Sequence, residues 1–215
     1  MGSHSAFFYG TLMAPEVLHR VCHGPANSTF TSPSTSYIKT SPAILHNHRR
    51  HRVRGADYPA ILPTPSSTVR GTYVTGLTDA DIYRLDIFEG DEYERRKVQC
   101  HILTREGDAV TGRGNEEGEE VVAETYIWIA GKQRLEDRGW DFAEFQREKM
   151  KFWVGGSEQA ESEYKEVDEA VRREEQMDGT GGRGVNGAIS GVLAKEHEKD
   201  KQKAGGDGEP IKSAV

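Results

Sequence analysis

Cysteine is almost missing from this chain of 215 residues, with Cys22 and Cys100 as its only two. That number excludes a disulfide framework, and the spacing fits no zinc site, so both read as small buried hydrophobes. Long apolar runs are missing as well: nothing approaches the ~18 consecutive apolar residues of a membrane span. Ala6-Phe7-Phe8-Tyr9 is too short for the apolar region of a signal peptide. The sequence therefore predicts a soluble, cytoplasmic protein with no membrane partner. Positive charge is in deficit too, at 28 Lys and Arg against 35 Asp and Glu, a net charge of −7. Neutralising phosphates over a broad face needs the opposite balance, which excludes general nucleic-acid binding. Hydrophobic residues make up 35% of the chain, below the usual ~45–50% even allowing for glycine counted there. With 29% charged residues and 24 glycines, some part of the chain cannot be packed.

The deficit lies at the C-terminal end. Residues 156–215 hold nine basic and fourteen acidic residues and ten glycines. Within them, 156–178 predicts a charged helix, with Tyr164, Val167, Val171 and Met177 along one side of Glu158 to Met177. Residues 179–215 read as a disordered tail rich in Gly and charge. Gly179-Thr180-Gly181-Gly182-Arg183-Gly184 matches the Gly-x-Gly-x-x-Gly dinucleotide pattern, yet no strand precedes it and no apolar helix follows, so it reads as a linker.

Residues 1–155 are nearly neutral and hold most of the bulky hydrophobes, which places the domain there. Ala6 to Tyr9 predicts a short buried strand ending at Gly10, and Pro15 is well placed to open a helix through Cys22. Val69 to Gly76 predicts another strand. After it Thr78 can cap a helix whose Ile82, Leu85 and Phe88 recur every three residues until Gly90 stops it. Val98, Cys100 and Ile102 alternate with polar residues, and Val121 to Ile129 is more apolar, which suggests a hairpin across a polar loop, Glu106 to Glu120. Asp141 and Glu144 begin a last helix, whose Phe142, Phe145, Phe152 and Trp153 predict its docking face. Strands and helices thus mix in an α+β order.

Three features point to chemistry. In Tyr9-Gly10-Thr11-Leu12 a strand ends at glycine and leads toward a helix; such a loop is either a plain turn or a seat for a carboxylate or oxyanion on backbone N–H groups. Asp86 to Glu92 packs four carboxylates into seven positions. Crowding opposes their joint ionisation, and Glu89 falls in the last helical turn, where the negative dipole end favours a proton acceptor. The same cluster also reads as a solvated helix end or, less well with Arg95-Arg96-Lys97 so near, as a divalent-metal site. His46-Asn47-His48-Arg49-Arg50-His51-Arg52-Val53-Arg54 is the most basic run. Its arginines oppose a metal between the histidines and suit a surface loop or a local anion-binding patch. Tyr58-Pro59-Ala60-Ile61-Leu62-Pro63 follows as a rigid extended segment, with the Tyr58 hydroxyl available to a pocket.

Phe8-Tyr9-Gly10-Thr11-Leu12, Tyr58-Pro59-Ala60, Val69-Arg70-Gly71 with Gly76-Leu77, and Leu85-Asp86 through Phe88-Glu89-Gly90 with Tyr93 and Arg95, in this order, resemble the γ-glutamylcyclotransferase-like family. The likeness is to its plant and fungal branch, the avirulence-induced-gene-like proteins, and covers roughly residues 6–153. It implies a mixed α+β fold, a small β-barrel-like sheet with packed helices. It implies that Tyr9, Gly10, Thr11 and Leu12 present backbone N–H groups to the substrate and that Glu89 is the acid/base. Met13 would continue the lining, with Tyr58, Tyr93 and Tyr126 as further pocket members. The implied partner is a small γ-glutamyl compound that closes on itself to release 5-oxoproline. No cofactor, metal or covalent intermediate is called for. A ligand-binding protein that keeps the pocket without the chemistry is the alternative, and the sequence leaves the oligomeric state open.

Overall fold

In a computed structural model the described residues are 3–24, 37–108, 112–154 and 158–177. Five strands, β1 (His4–Phe8), β2 (Lys39–Arg52), β3 (Pro59–Leu77), β4 (Tyr93–Arg105) and β5 (Glu116–Trp128), close into a barrel in the order β1-β3-β2-β4-β5. All pairs are antiparallel except β1 with β5, which meet in parallel at Ala6 and Glu124. Helices α1 (Pro15–His23), α2 (Asp79–Glu89), α3 (Phe142–Glu148), α4 (Met150–Val154) and α5 (Glu158–Met177) complete an α+β fold, as the sequence predicts. Among the described residues no helix is long and apolar enough to cross a membrane.

The side-chain period of a strand explains how β1 can be buried on both faces. Phe7 and Tyr9 point into the barrel with Leu45, Ile61, Val69 and Cys100. Ala6 and Phe8 point outward, under Leu12, Val17, Leu18, Leu85 and Phe145 of the helical layer. Both cysteines are free and buried.

The α2 boundaries are those the sequence predicts. Thr78 Oγ1 accepts from the Asp81 amide at 3.2 Å while Asp81 Oδ2 accepts from the Thr78 amide at 2.8 Å, a reciprocal cap. Gly90 ends the helix at φ 69°, in the left-handed region that favours glycine. We expect Thr78→Ala to lower stability by about 1 kcal/mol in urea unfolding; an unchanged midpoint would show that the cap contributes nothing.

Four expectations need correction. His46 to Arg52 is strand rather than surface loop, paired with β3 from Pro59 to Pro63 and at Thr68. Its polar residues hide the alternation, because long arginine and histidine side chains satisfy their heads on neighbouring backbone carbonyls. The two segments predicted around Tyr58 and Val69 form one strand, β3, with a register shift where Asn47 and Ser66 take positive φ. The β4–β5 loop is shorter than Glu106 to Glu120, since Glu116 and Glu117 already pair with Arg105 and Leu103. Phe152 leaves the predicted docking face and is 46% exposed. The break at Lys149, between α3 and α4, resets the helical phase, so Phe145 and Trp153 stay buried and Phe152 turns out.

The chain divides into two compact units, residues 1–169 and 170–215. In the first, Tyr164 and Val167 of α5 are buried, and Asp168 accepts from Arg20 at 2.8 Å and pairs with Arg84. In the second, the described residues continue α5 to Met177. The predicted tail, 179–215, and its glycine-rich motif lie outside the described residues.

Candidate active site

One end of the barrel and the helical layer enclose a cavity of about 160 Å³. The β1 strand delivers Tyr9 and Gly10 to its wall, and a short 3-10 turn, Thr11–Met13, supplies Thr11 and Leu12. Glycine is required at position 10 by proximity: a Cβ there would lie 2.9 Å from the Pro59 ring. The turn first uses the Met13 amide, which donates to the Gly10 carbonyl at 3.0 Å. It therefore employs none of the amides of Gly10, Thr11 and Leu12.

Glu89 enters from the last turn of α2, and Glu92 from the turn that follows it. Tyr58, Tyr93 and Tyr126 complete the predicted set on the cavity wall. Met13 does not line it. The 3-10 turn carries its side chain back to the helical core, with Sδ 4.0 Å from Arg50.

The tyrosine hydroxyls are already engaged, which makes these rings fixed walls. Tyr9 donates to the Tyr126 carbonyl at 2.6 Å, Tyr93 to the Pro59 carbonyl at 2.9 Å, and Tyr126 to Asp86 Oδ1 at 2.8 Å. Burial raises all three above the ordinary phenol pKa, and the negative charge of Glu89 raises each further. The carboxylate of Glu89 is thus felt by two buried rings, Tyr9 and Tyr126, and by half-buried Tyr93. Asp86, by contrast, accepts from Arg95 at 2.8 Å as well as from Tyr126, and Asp91 is exposed. The crowded carboxylates separate by place, with Asp86 paired to Arg95 and Glu89 and Glu92 on the cavity wall.

Several residues of the site are not marked as such by the sequence, even where they stand in its motifs. Phe8, Pro59, Phe88 and Trp153 form its apolar wall. Glu92 pairs with Arg134 and accepts from the Tyr58 hydroxyl at 3.5 Å. Arg50 lies behind the loop, donating to the Tyr9 carbonyl at 2.8 Å with its guanidinium 5.3 Å above the Trp140 ring. Burial pushes Arg50 down to about 10, so it keeps its charge at neutral pH.

A pH dependence follows. The native state holds the protons of Tyr9, Tyr93 and Tyr126 above pH ~10, where unfolded tyrosines lose theirs. Unfolding then releases protons, so stability falls as pH rises. Cys100, pushed up to about 11 by burial, and Cys22, also raised, start the decline above about 8.5. Arg50 acts in the opposite direction, while Tyr37, also raised by burial, adds to the decline. Urea midpoints should therefore drop through the alkaline range, and a constant midpoint there would contradict this electrostatic account.

The fold is an α+β barrel with a partly open cavity of small-molecule dimensions at one end. Within that class it belongs to the family described as gamma-glutamyl cyclotransferase, AIG2-like, whose model matches residues 6–142. Its relatives in Arabidopsis thaliana include AIG2-like protein D, 34% identical over 67% of this chain and 80% of that protein. Protein AIG2 C of the same plant is 29% identical over 66% of this chain and 72% of its own length. A solved structure described as a gamma-glutamyl cyclotransferase aligns over 92% of this chain and 99% of that chain, with 14% identity and a TM-score of 0.42.

Proposed function

We propose that the protein is a γ-glutamyl cyclotransferase, which closes a γ-glutamyl amide on itself and releases 5-oxoproline and the free amine. The observation that carries this proposal is that Glu89 lines the same cavity as the Tyr9-Gly10-Thr11-Leu12 loop. Such a substrate brings its own nucleophile, the α-amino group, and its own electrophile, the γ-carbonyl. Ring closure is intramolecular and needs a folded pose and a proton carrier. Glu89 takes a proton from the α-ammonium, which frees the nitrogen lone pair to attack the γ-carbonyl carbon. In the tetrahedral adduct the ring nitrogen gives up its second proton to solvent; the adduct then collapses, the C–N bond to the leaving amine breaks, and Glu89 returns the first proton to that amine. The amides of Gly10, Thr11 and Leu12 meet the oxygens of the substrate, including the one that gains charge in the adduct.

The walls suit a compact pose. Phe8, Phe88, Tyr93 and Trp153 give the folded glutamyl chain an apolar wall to pack against. Among the described residues that line the cavity there is no Lys, Arg or His, and on this reading amides and dipoles receive the α-carboxylate. By the same reading the protein works as a soluble cytoplasmic enzyme without a cofactor. The test is to incubate it with glutathione, γ-glutamyl amino acids and γ-glutamyl amines and to measure 5-oxoproline. Release from at least one class is expected. Inactivity on all of them, with binding retained, would instead make it a ligand-binding protein.

A further inference from the structure

The basic run of β2 contains a histidine that the cavity does not use. His46 stands on the outer wall of the barrel beside a register shift, where Asn47 takes φ 57°. It shares a strand face with Ile44, which pairs directly with His101 of β4, and His101 in turn pairs with Glu120 of β5. The next shift in the β4–β5 ladder brings Glu117 to the same place. His46 Nε2 and Glu117 Oε2 are 2.9 Å apart, His101 Nδ1 and the same Oε2 are 3.7 Å apart, and His101 Nε2 lies 3.4 Å from Glu120 Oε2. One ligand atom each from His46, His101 and Glu117 all fall within 4.8 Å of one another.

We propose that His46, His101 and Glu117 form a binding site for a divalent transition metal of the zinc type, with His101 binding through Nδ1 and Glu120 holding its other ring nitrogen. Two imidazoles and carboxylate oxygen suit zinc and its neighbours, while magnesium and calcium prefer oxygen alone. Metal bonds of ~2.0–2.2 Å bring tetrahedral ligands to about 3.5 Å from one another. The side chains reach that spacing by small rotations, since His46 and Glu117 are each 38% exposed and His101 is 25% exposed. Coordination through His46 Nε2 uses the tautomer with its proton on Nδ1, and the metal replaces the direct His46–Glu117 hydrogen bond. Nearby basic groups are turned elsewhere: Arg70 pairs with Glu106, and Arg105 with Glu116 at 2.6 Å.

The position gives the metal a mechanical task. The β2–β4 contact, two paired residues long, is a weak seam of the barrel, whereas β2–β3 and β4–β5 are long ladders. A metal held by His46 on one side and by His101 and Glu117 on the other clasps that seam. None of these residues lines the cavity, so the clasp acts on stability and leaves the reaction alone.

The test uses the full chain, stripped with chelator and titrated with Zn²⁺ or Mg²⁺ by calorimetry and thermal melting. One equivalent of Zn²⁺ should bind and raise Tm, and Mg²⁺ should do neither. His46→Gln and His101→Gln should each weaken Zn²⁺ binding by roughly tenfold or more. His23→Gln, on α1, serves as control and should bind as wild type does. Far-ultraviolet circular dichroism checks that each variant is folded, and Glu117→Gln gives a third ligand test should either histidine variant unfold. Failure of wild type to bind Zn²⁺, an equal response to Mg²⁺, or loss of binding in His23→Gln with retention in the other variants would overturn the site.

Discussion

Glu89→Gln is expected to abolish most of the 5-oxoproline release while leaving the fold intact. The change keeps size and hydrogen-bonding shape and removes the ability to carry a proton. Loss of a general acid/base costs ~10²–10⁴-fold in rate. Stability should change little, because the side chain reaches the cavity from the end of α2 and that helix is fixed elsewhere, by the Thr78 and Asp81 cap and by buried Ile82 and Leu85. Glu92→Gln is the informative comparison, as Glu92 shares the cavity but is tied to Arg134 and Tyr58. A larger loss in Glu92→Gln than in Glu89→Gln would move the proton-carrying role to Glu92.

Leu85→Ala should produce the largest loss of stability, about 2–5 kcal/mol. Leu85 is fully buried in the helical core, among residues from β1, α1 and α3. Truncation removes its contacts and leaves a void that a closed barrel on one side and three aromatic side chains, Phe8, Phe145 and Trp153, on the other cannot readily collapse into. Urea unfolding should show a lower midpoint with an unchanged slope. A loss below about 1 kcal/mol would mean that α2 repacks freely, and that the position of Glu89 does not depend on this contact.

Much of this fold is legible in short patterns whose causes are local. The Thr78 cap, the three-residue recurrence of Ile82, Leu85 and Phe88, and the glycine at 90 define α2 without reference to anything else in the chain. Tyr9 to Leu12 and Glu89, far apart in sequence, meet on one cavity. What escapes a sequence reading depends on distant partners. The strand His46 to Arg52 shows no apolar alternation, since its polar heads are satisfied by carbonyls of other segments. Arg50 looks like surface charge until the Tyr9 carbonyl and the Trp140 ring are brought to it. Asp86 and Glu89 look equivalent until Arg95, nine residues on from Asp86, claims one of them. Met13 and Phe152 go astray for a simpler reason: a 3-10 turn and a helix break each change the phase that a continuous helix would keep.

On the proposed mechanism the cavity performs intramolecular aminolysis, not hydrolysis. Turnover of a γ-glutamyl substrate in H₂¹⁸O separates the two, because the attacking atom is the substrate's own nitrogen in one case and solvent oxygen in the other. The expected result is unlabelled 5-oxoproline with one equivalent of amine and no glutamate. Glutamate carrying ¹⁸O in its γ-carboxylate would contradict the account, since water would then be the nucleophile.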